Sequence, residues 1–244
     1  MFEYKKAVER FLCIFFPSRC VFCTKVQPPL RLECSDCKIK VKTIEEPICT
    51  YCGCEKEDCC CKKSRKFYNG IVSPYYYEDK VRHAMSDFKF GENTVAARLL
   101  GEKMADKAKE IYSKIDFDII TFVPMTDKKQ RKRGYNQSEL LAKEISEHLN
   151  IAVENNVLIK IYENDLQHGL NAYLRSGNII GVYDVTDRDL VKDKTILLCD
   201  DIKTTGETLN ECAKMLIING AAQVWCLVGA LTGKRKKQTS PKEG

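Results

Sequence analysis

Eleven of the 14 cysteines in this 244-residue chain fall between Cys13 and Cys61, and only Cys199, Cys212 and Cys226 follow. So dense a group of thiols must be crosslinked by disulfides or by metal, and it sets a small module apart from a longer segment of ordinary composition. Cys20-x2-Cys23 and Cys34-x2-Cys37, with ten residues between the pairs, form paired knuckles. Two tight turns of this kind bring four thiolates around tetrahedral zinc, with each bond near ~2.3 Å. Disulfides are the competing reading. No apolar run approaches the ~18 residues needed to cross a bilayer. Phe11 to Phe16, closed by Pro17, is too short for the core of an export signal. The expectation is therefore a soluble, cytoplasmic protein with reduced thiols, which favours zinc.

The second cysteine group is less regular. Cys49-x2-Cys52 is a knuckle followed by Gly53, but Cys59, Cys60 and Cys61 contain no second CxxC. Cys59 and Cys61 are the expected partners, because alternate positions of an extended loop converge more easily than adjacent ones. Cys54 and Cys60 remain substitutes. The metal would be structural, since about 40 residues with few large aliphatics do not fold without a crosslink. Cys13 sits in an apolar stretch and reads as buried.

Charge supports the same division. Residues 1–66 carry 14 Lys/Arg against 9 Asp/Glu, residues 67–233 carry 21 against 24, and residues 234–244 carry 5 against 1. The net charge of +6 thus belongs to the two ends. Basic ends suit a polyanionic partner such as nucleic acid, or are ordinary solvated surface. The tail from Lys234 to Gly244 has no apolar periodicity and reads as disordered. The expected division is a zinc-binding module over 1–66, a globular domain over 67–233 and a basic tail over 234–244.

From Phe67 the pattern is α/β. Ile71 to Tyr77 is rich in branched and aromatic residues, as strands are. Val95, Leu99, Leu100, Met104, Ala108 and Ile111 make a helical stripe. Asp118 to Met125 reads as a buried strand ended by Pro124, and Ser138 as the cap of a helix burying Leu141, Ile145 and Leu149. Thr195 to Cys199 is a short buried strand. A helix over about 207–219, closed by Gly220, and a strand from Gln223 to Ala230 complete the series. Strands that are apolar on both faces and alternate with helices indicate a largely parallel sheet.

Chemistry concentrates in Ile196 to Leu209, ILLCDDIKTTGETL. A buried strand ends in Asp200 and Asp201, and a loop with Thr204, Thr205 and Gly206 leads into a helix near Thr208. Ligands bind at the carboxyl ends of strands in open parallel sheets. Amides at a helix N-terminus attract phosphate, Gly206 permits close backbone approach, and the threonine hydroxyls add donors. The two acids repel phosphate, but they suit vicinal hydroxyls, met directly or through Mg2+. A phosphate beside a diol describes a ribose 5-phosphate.

This segment resembles the phosphoribosyl diphosphate loop of type I phosphoribosyltransferases. From Cys20 to about Leu231 the chain resembles the ComF family (ComFC-like proteins), which joins a cysteine-rich zinc module to such a domain. Further matching stretches are Lys89-Phe90-Gly91; Val123-Pro124; Arg131 to Gln137 (RKRGYNQ); and the spaced set Gln167, Leu170, Arg175, Asn178 and Gly181. The second cysteine group departs from the family's usual CxxC…CxxC. The resemblance implies an α/β fold with a mostly parallel, helix-flanked sheet behind a small zinc-ribbon-like module. It also implies a phosphoribosyltransferase associated with DNA uptake and natural competence, with no known acceptor.

By that resemblance Asp200 and Asp201 hold the ribose hydroxyls, and Thr204, Thr205, Gly206 and Thr208 hold the 5-phosphate. Lys203 either helps neutralise phosphate or is an exposed loop lysine. Lys128 to Arg133 places five cations in six positions. Arg131 and Arg133, read as alike on an extended segment, either clamp diphosphate or follow a nucleic-acid backbone, a solvated loop being the bland alternative. Tyr135 stacks on a base or is buried. His83 and His168 show no partner in the sequence. The expected cofactors are structural Zn2+ and Mg2+; the expected partners are phosphoribosyl diphosphate, with single-stranded DNA and competence proteins as further candidates. An enzyme and a non-catalytic binding factor both keep such a loop.

Overall fold

The computed structural model describes residues 17–59, 61, 65–90, 95–161 and 182–233. Its elements in chain order are α1 (Ser35–Lys40), β1 (Gly70–Val72), β2 (Tyr75–Tyr76), α2 (Asp79–Phe90), α3 (Val95–Ile111), β3 (Ile119–Phe122) and α4 (Asp127–Arg133). There follow α5 (Gln137–Leu149), β4 (Leu158–Lys160), β5 (Tyr183–Val185), β6 (Thr195–Lys203), α6 (Glu207–Ile218) and β7 (Gln223–Leu231). Cys13, Cys60, Gly91, the set Gln167 to Gly181 with His168, and the tail from Lys234 lie outside the described residues.

The main sheet has the order β1–β7–β6–β3, with β2 also on β7, and every pairing in it is parallel. β1 and β2 share one register along β7, Val72 facing Leu227 and Tyr75 facing Ala230. Pro74 interrupts them because it has no N–H for the ladder. Alternate side chains of β6 enter different cores, as the strand repeat of two requires. Leu197 and Cys199 pack with Leu100, Met104, Leu141 and Ile145 of α3 and α5. Ile196 and Leu198 pack with Leu209, Cys212, Ala213 and Leu216 of α6. Leu100, Met104, Leu141 and Ile145 are fully buried, each stabilising the fold by ~1.5–3 kcal/mol.

The structure departs from the sequence reading in several places, among them the break of the expected strand Ile71 to Tyr77 into β1 and β2 and the exposure of Val95 in the α3 stripe. β6 does not stop at Cys199 but stays paired with β7 as far as Lys203, opposite Leu231. Asp200 and Asp201 stand on the strand, and Lys203 does too instead of in the loop that follows. The run from Asp127 to Arg133 is helical, not extended: Thr126 Oγ1 accepts from the Lys129 amide, and Gly134 ends the helix in the left-handed region. Asn136, not Ser138, caps α5. Finally, α1, α2 and the antiparallel pair β4–β5 form where the sequence analysis expects no element.

Apolar residues of the cysteine-rich segment continue both cores. Phe22 meets Tyr75 edge-on at 5.7 Å, and Val21, Phe22 and Cys37 join the α3/α5 side. Ile44, Ile48, Cys52 and Cys54 join the α6 side. The buried Lys107 donates to the Ile44 carbonyl at 2.8 Å and pairs with Glu110 at 2.7 Å. The Ile44 amide bonds the Pro74 carbonyl at 2.8 Å, beside the break between β1 and β2.

Candidate functional site

Two groups of four thiols are assembled. Cys20, Cys23, Cys34 and Cys37 form one, Cys49, Cys52, Cys59 and Cys61 the other, and in each the sulfurs lie within 4.8 Å of one another. These cysteines are free thiols. A zinc tetrahedron with ~2.3 Å bonds has edges of ~3.8 Å. The sulfur separations of 3.7 Å for Cys23–Cys34, 3.9 Å for Cys49–Cys61 and 3.6 Å for Cys52–Cys59 fit that geometry; Cys59–Cys61, at 3.2 Å, is tighter.

Hydrogen bonds aim at the sulfurs as they would at thiolates. The Cys34 amide donates to Cys20 Sγ, the Cys37 amide to Cys34 Sγ and Lys80 Nζ to Cys37 Sγ. The Cys37 amide holds the Cys34 thiol down at about 7, while burial and the neighbouring thiols push Cys37 up to about 12. Thiols so close do not share negative charge without a cation, so both sets fit Zn2+ as a structural ion. Cys54 lies outside this set of four but beside Cys52, and near Tyr76 and Gly233.

A cleft opens at the carboxyl ends of β3 and β6. Its walls are Lys89, Val123 to Thr126, Lys129, Arg133, Asn136 to Ser138, Lys160, Asp200 and Asp201. Stretches far apart in sequence meet here because the parallel sheet puts every strand end on the same side. Asp200 is buried. Ser138 Oγ donates to its Oδ1 at 2.8 Å, and the Asp201 amide to the same oxygen at 2.9 Å. Burial and the adjacent Asp201 push the Asp200 carboxyl up to about 8. Burial also raises Asp201, with Lys89 and Arg133 pulling the other way.

The basic wall is held by the segment after α4. Arg133 donates to Gln137 Oε1 at 3.1 Å, and Gln137 Nε2 reaches the Lys89 carbonyl at 3.4 Å. Tyr135 is committed to α2, donating to the Phe88 carbonyl at 2.6 Å and stacking on that ring. The helical geometry of α4 separates the two arginines: Arg133 lines the cleft, whereas Arg131 is exposed and lies outside it. Residues two apart on a helix point to different sides.

Thr204, Thr205 and Thr208 are exposed beside this cleft, not in its walls, and Gly206 is buried. Gly206 takes φ +81° as the N-cap of α6 and offers no side-chain cap, so the first turn presents amides to an anion. Tyr183 lies beside Lys160 of the cleft wall and accepts from its Nζ at 3.2 Å. Lys203 Nζ donates to the Cys52 carbonyl at 3.1 Å.

Lys89 and Gln137 stand inside matching stretches, Lys129 in the five-cation run and Ser138 at a helix start, with no individual place in the site assigned to them from sequence. Lys160 carries no local signal. His83 pairs with Asp87 at 3.3 Å on the surface of α2. No helix among the described residues is long and apolar enough to cross a membrane.

Residues 98–244 match the model of the phosphoribosyl transferase domain. Competence protein F of Haemophilus influenzae is 30% identical over 229 residues, covering 88% of this chain and 99% of that protein. Competence protein ComFC of Bacillus subtilis is 26% identical over 202 residues, 78% of this chain and 79% of the relative. The DNA utilization protein YhgH of Escherichia coli is 34% identical over 116 residues, 47% of this chain and 50% of the relative.

Proposed function

The chain belongs to the ComF family and carries its phosphoribosyl transferase domain, and from that premise we propose that the cleft binds 5-phosphoribosyl diphosphate with Mg2+ and transfers its phosphoribosyl group in a DNA-uptake context. One observation supports this most: Asp200 and Asp201 face Lys89, Lys129, Arg133 and Lys160 across a single cleft at the strand ends. The acids accept the ribose hydroxyls. The amides and hydroxyls of Thr204 to Thr208 hold the 5-phosphate. The four cations meet the diphosphate.

Among the described residues Asp200 and Asp201 are the acidic part of the cleft wall; they would hold Mg2+, whose charge would offset that of departing diphosphate. Ribosyl transfer passes through a cationic sugar, so orientation and charge stabilisation suffice and no protein nucleophile is needed. Calorimetric titration of phosphoribosyl diphosphate with Mg2+ tests this. The wild type is expected to bind, and the folded double variant Asp200→Asn/Asp201→Asn to lose at least ~10-fold in affinity, about 1.4 kcal/mol. Equal binding by both contradicts the placement.

A second reading, single-stranded DNA binding, rests on a separate surface. Arg19, Lys25, Arg31, Lys38, Lys40 and Lys42 are exposed around the first cysteine group, and Ile39 beside them is 82% exposed. Each phosphate contact adds about one unit to the salt slope. Lys38→Ala with Lys40→Ala is expected to lower the slope of log affinity against log salt by ~1–2. An unchanged slope removes the first knuckle from the DNA interface.

A further inference from the structure

Lys203 lies in the segment read as the phosphate-binding motif, yet its side chain points toward the zinc module. Its Nζ donates to the carbonyl of Cys52, itself one of the four thiols of the second group. Its aliphatic stem lies beneath Gly206: a Cβ there would stand 3.1 Å from Lys203 Cε and 3.6 Å from Cγ. One side chain therefore supports the left-handed residue that starts α6 and is pinned at its far end to a metal knuckle.

The backbone closes the same circuit. Thr232, just past β7, donates its amide to the Lys203 carbonyl at 2.9 Å, and its hydroxyl to the Thr204 carbonyl at 3.2 Å. The knuckle turn presses on the end of the same strand. A Cβ at Gly53 would fall 2.6 Å from Leu231 Cδ2, and Gly53 has φ +85°. The Ile71 amide bonds the Thr50 carbonyl at 2.7 Å, which fixes the turn from its other side. The glycine lets the turn pack closely on the end of β7, so a shift of the knuckle would displace that end and, through Lys203 and Thr232, the loop at Thr204 to Gly206.

We propose that Lys203 is a positioning residue that couples the second cysteine-bound metal to the phosphate-binding loop, so that zinc at Cys49, Cys52, Cys59 and Cys61 and phosphoribosyl diphosphate in the cleft each strengthen the binding of the other. Linkage makes the effect reciprocal. Among the described residues the first group shows a different lysine contact, from Lys80 at the start of α2. The inference rests on the reading of the loop as a phosphate cradle.

Thiol labelling resolved by mass spectrometry tests it, using zinc-loaded full-length protein, a zinc-selective chelator and excess Mg2+. In the wild type, saturating phosphoribosyl diphosphate is expected to slow labelling of Cys49, Cys52, Cys59 and Cys61 by about fivefold. Labelling of Cys20, Cys23, Cys34 and Cys37 changes less than twofold. Lys203→Met keeps the stem and loses the donor; it is expected to bind phosphoribosyl diphosphate more weakly and to give no protection of the second group.

Wild type that binds the diphosphate without protecting the second group overturns the coupling alone. So does Lys203→Met that matches wild type in both affinity and protection. Wild type that binds no phosphoribosyl diphosphate overturns the reading of the loop and the coupling with it.

Discussion

Asp200 receives two hydrogen bonds, from Ser138 Oγ and the Asp201 amide, yet burial and its acidic neighbour still hold its carboxyl up at about 8. An acid raised above its unfolded value of 3.8 keeps its proton longer in the native state. The native protein therefore binds more protons than the unfolded chain between those two values, and the contribution to stability is lost as pH rises through the folded value. Asp200→Asn keeps an oxygen for Ser138 and sheds the charge. It is expected to melt at least ~2 °C above wild type at pH 8, with the gap closing toward pH 4, while losing ligand affinity. A variant that melts lower than wild type at pH 8 would contradict the burden assigned to the carboxylate. Asp200 and Asp201 were legible because their motif is contiguous. Ser138 and Lys160 were not, because the fold brings them to the acids from other elements. The direction of Lys203 was hidden for the same reason, its partner being Cys52 of the other module.

At the level of elements, the long helices and inner strands were legible because their apolar periodicity is set by burial alone. α2 carries an equally clear stripe, Val81, Ala84, Met85 and Phe88, all buried, so its spacing would have found it. α4 was misread because a run of like charges suggests extended, solvated chain. The deciding signals were local: Thr126 as cap and Gly134 as left-handed stop. That correction matters to the site, since it gives Arg133 to the cleft and leaves Arg131 outside. The choice of Cys59 and Cys61 over Cys54 rested on convergence of alternate positions, and those two sulfurs do lie with Cys49 and Cys52. Metal analysis of purified protein is expected to return two zinc equivalents per chain. Chelation is expected to raise hydrogen exchange around Phe22 and Ile44 first. A folded chain holding no zinc would contradict the structural role of both groups.

For the whole molecule, composition suggested a module followed by a domain with a boundary at residue 66. The residues on either side of that proposed boundary nevertheless share their cores: Phe22 packs with Tyr75, Ile44 belongs to the same core as Ile71, and Lys107 of α3 reaches back to the Ile44 carbonyl. Sequence separates the two parts because thiols and aliphatics cluster differently along the chain, whereas packing depends on surfaces that no linear pattern records. Two cysteine knuckles fitted to hold Zn2+ pack beside the parallel sheet, and acids and cations line one cleft at the strand ends. Diffraction from crystals soaked in phosphoribosyl diphosphate with Mg2+ tests that arrangement most directly. Density for the 5-phosphate at the start of α6, the ribose at Asp200 and Asp201, and the diphosphate beside Lys89 and Arg133 is the predicted result. Ligand density elsewhere, with this cleft clear at saturating concentration, would contradict it.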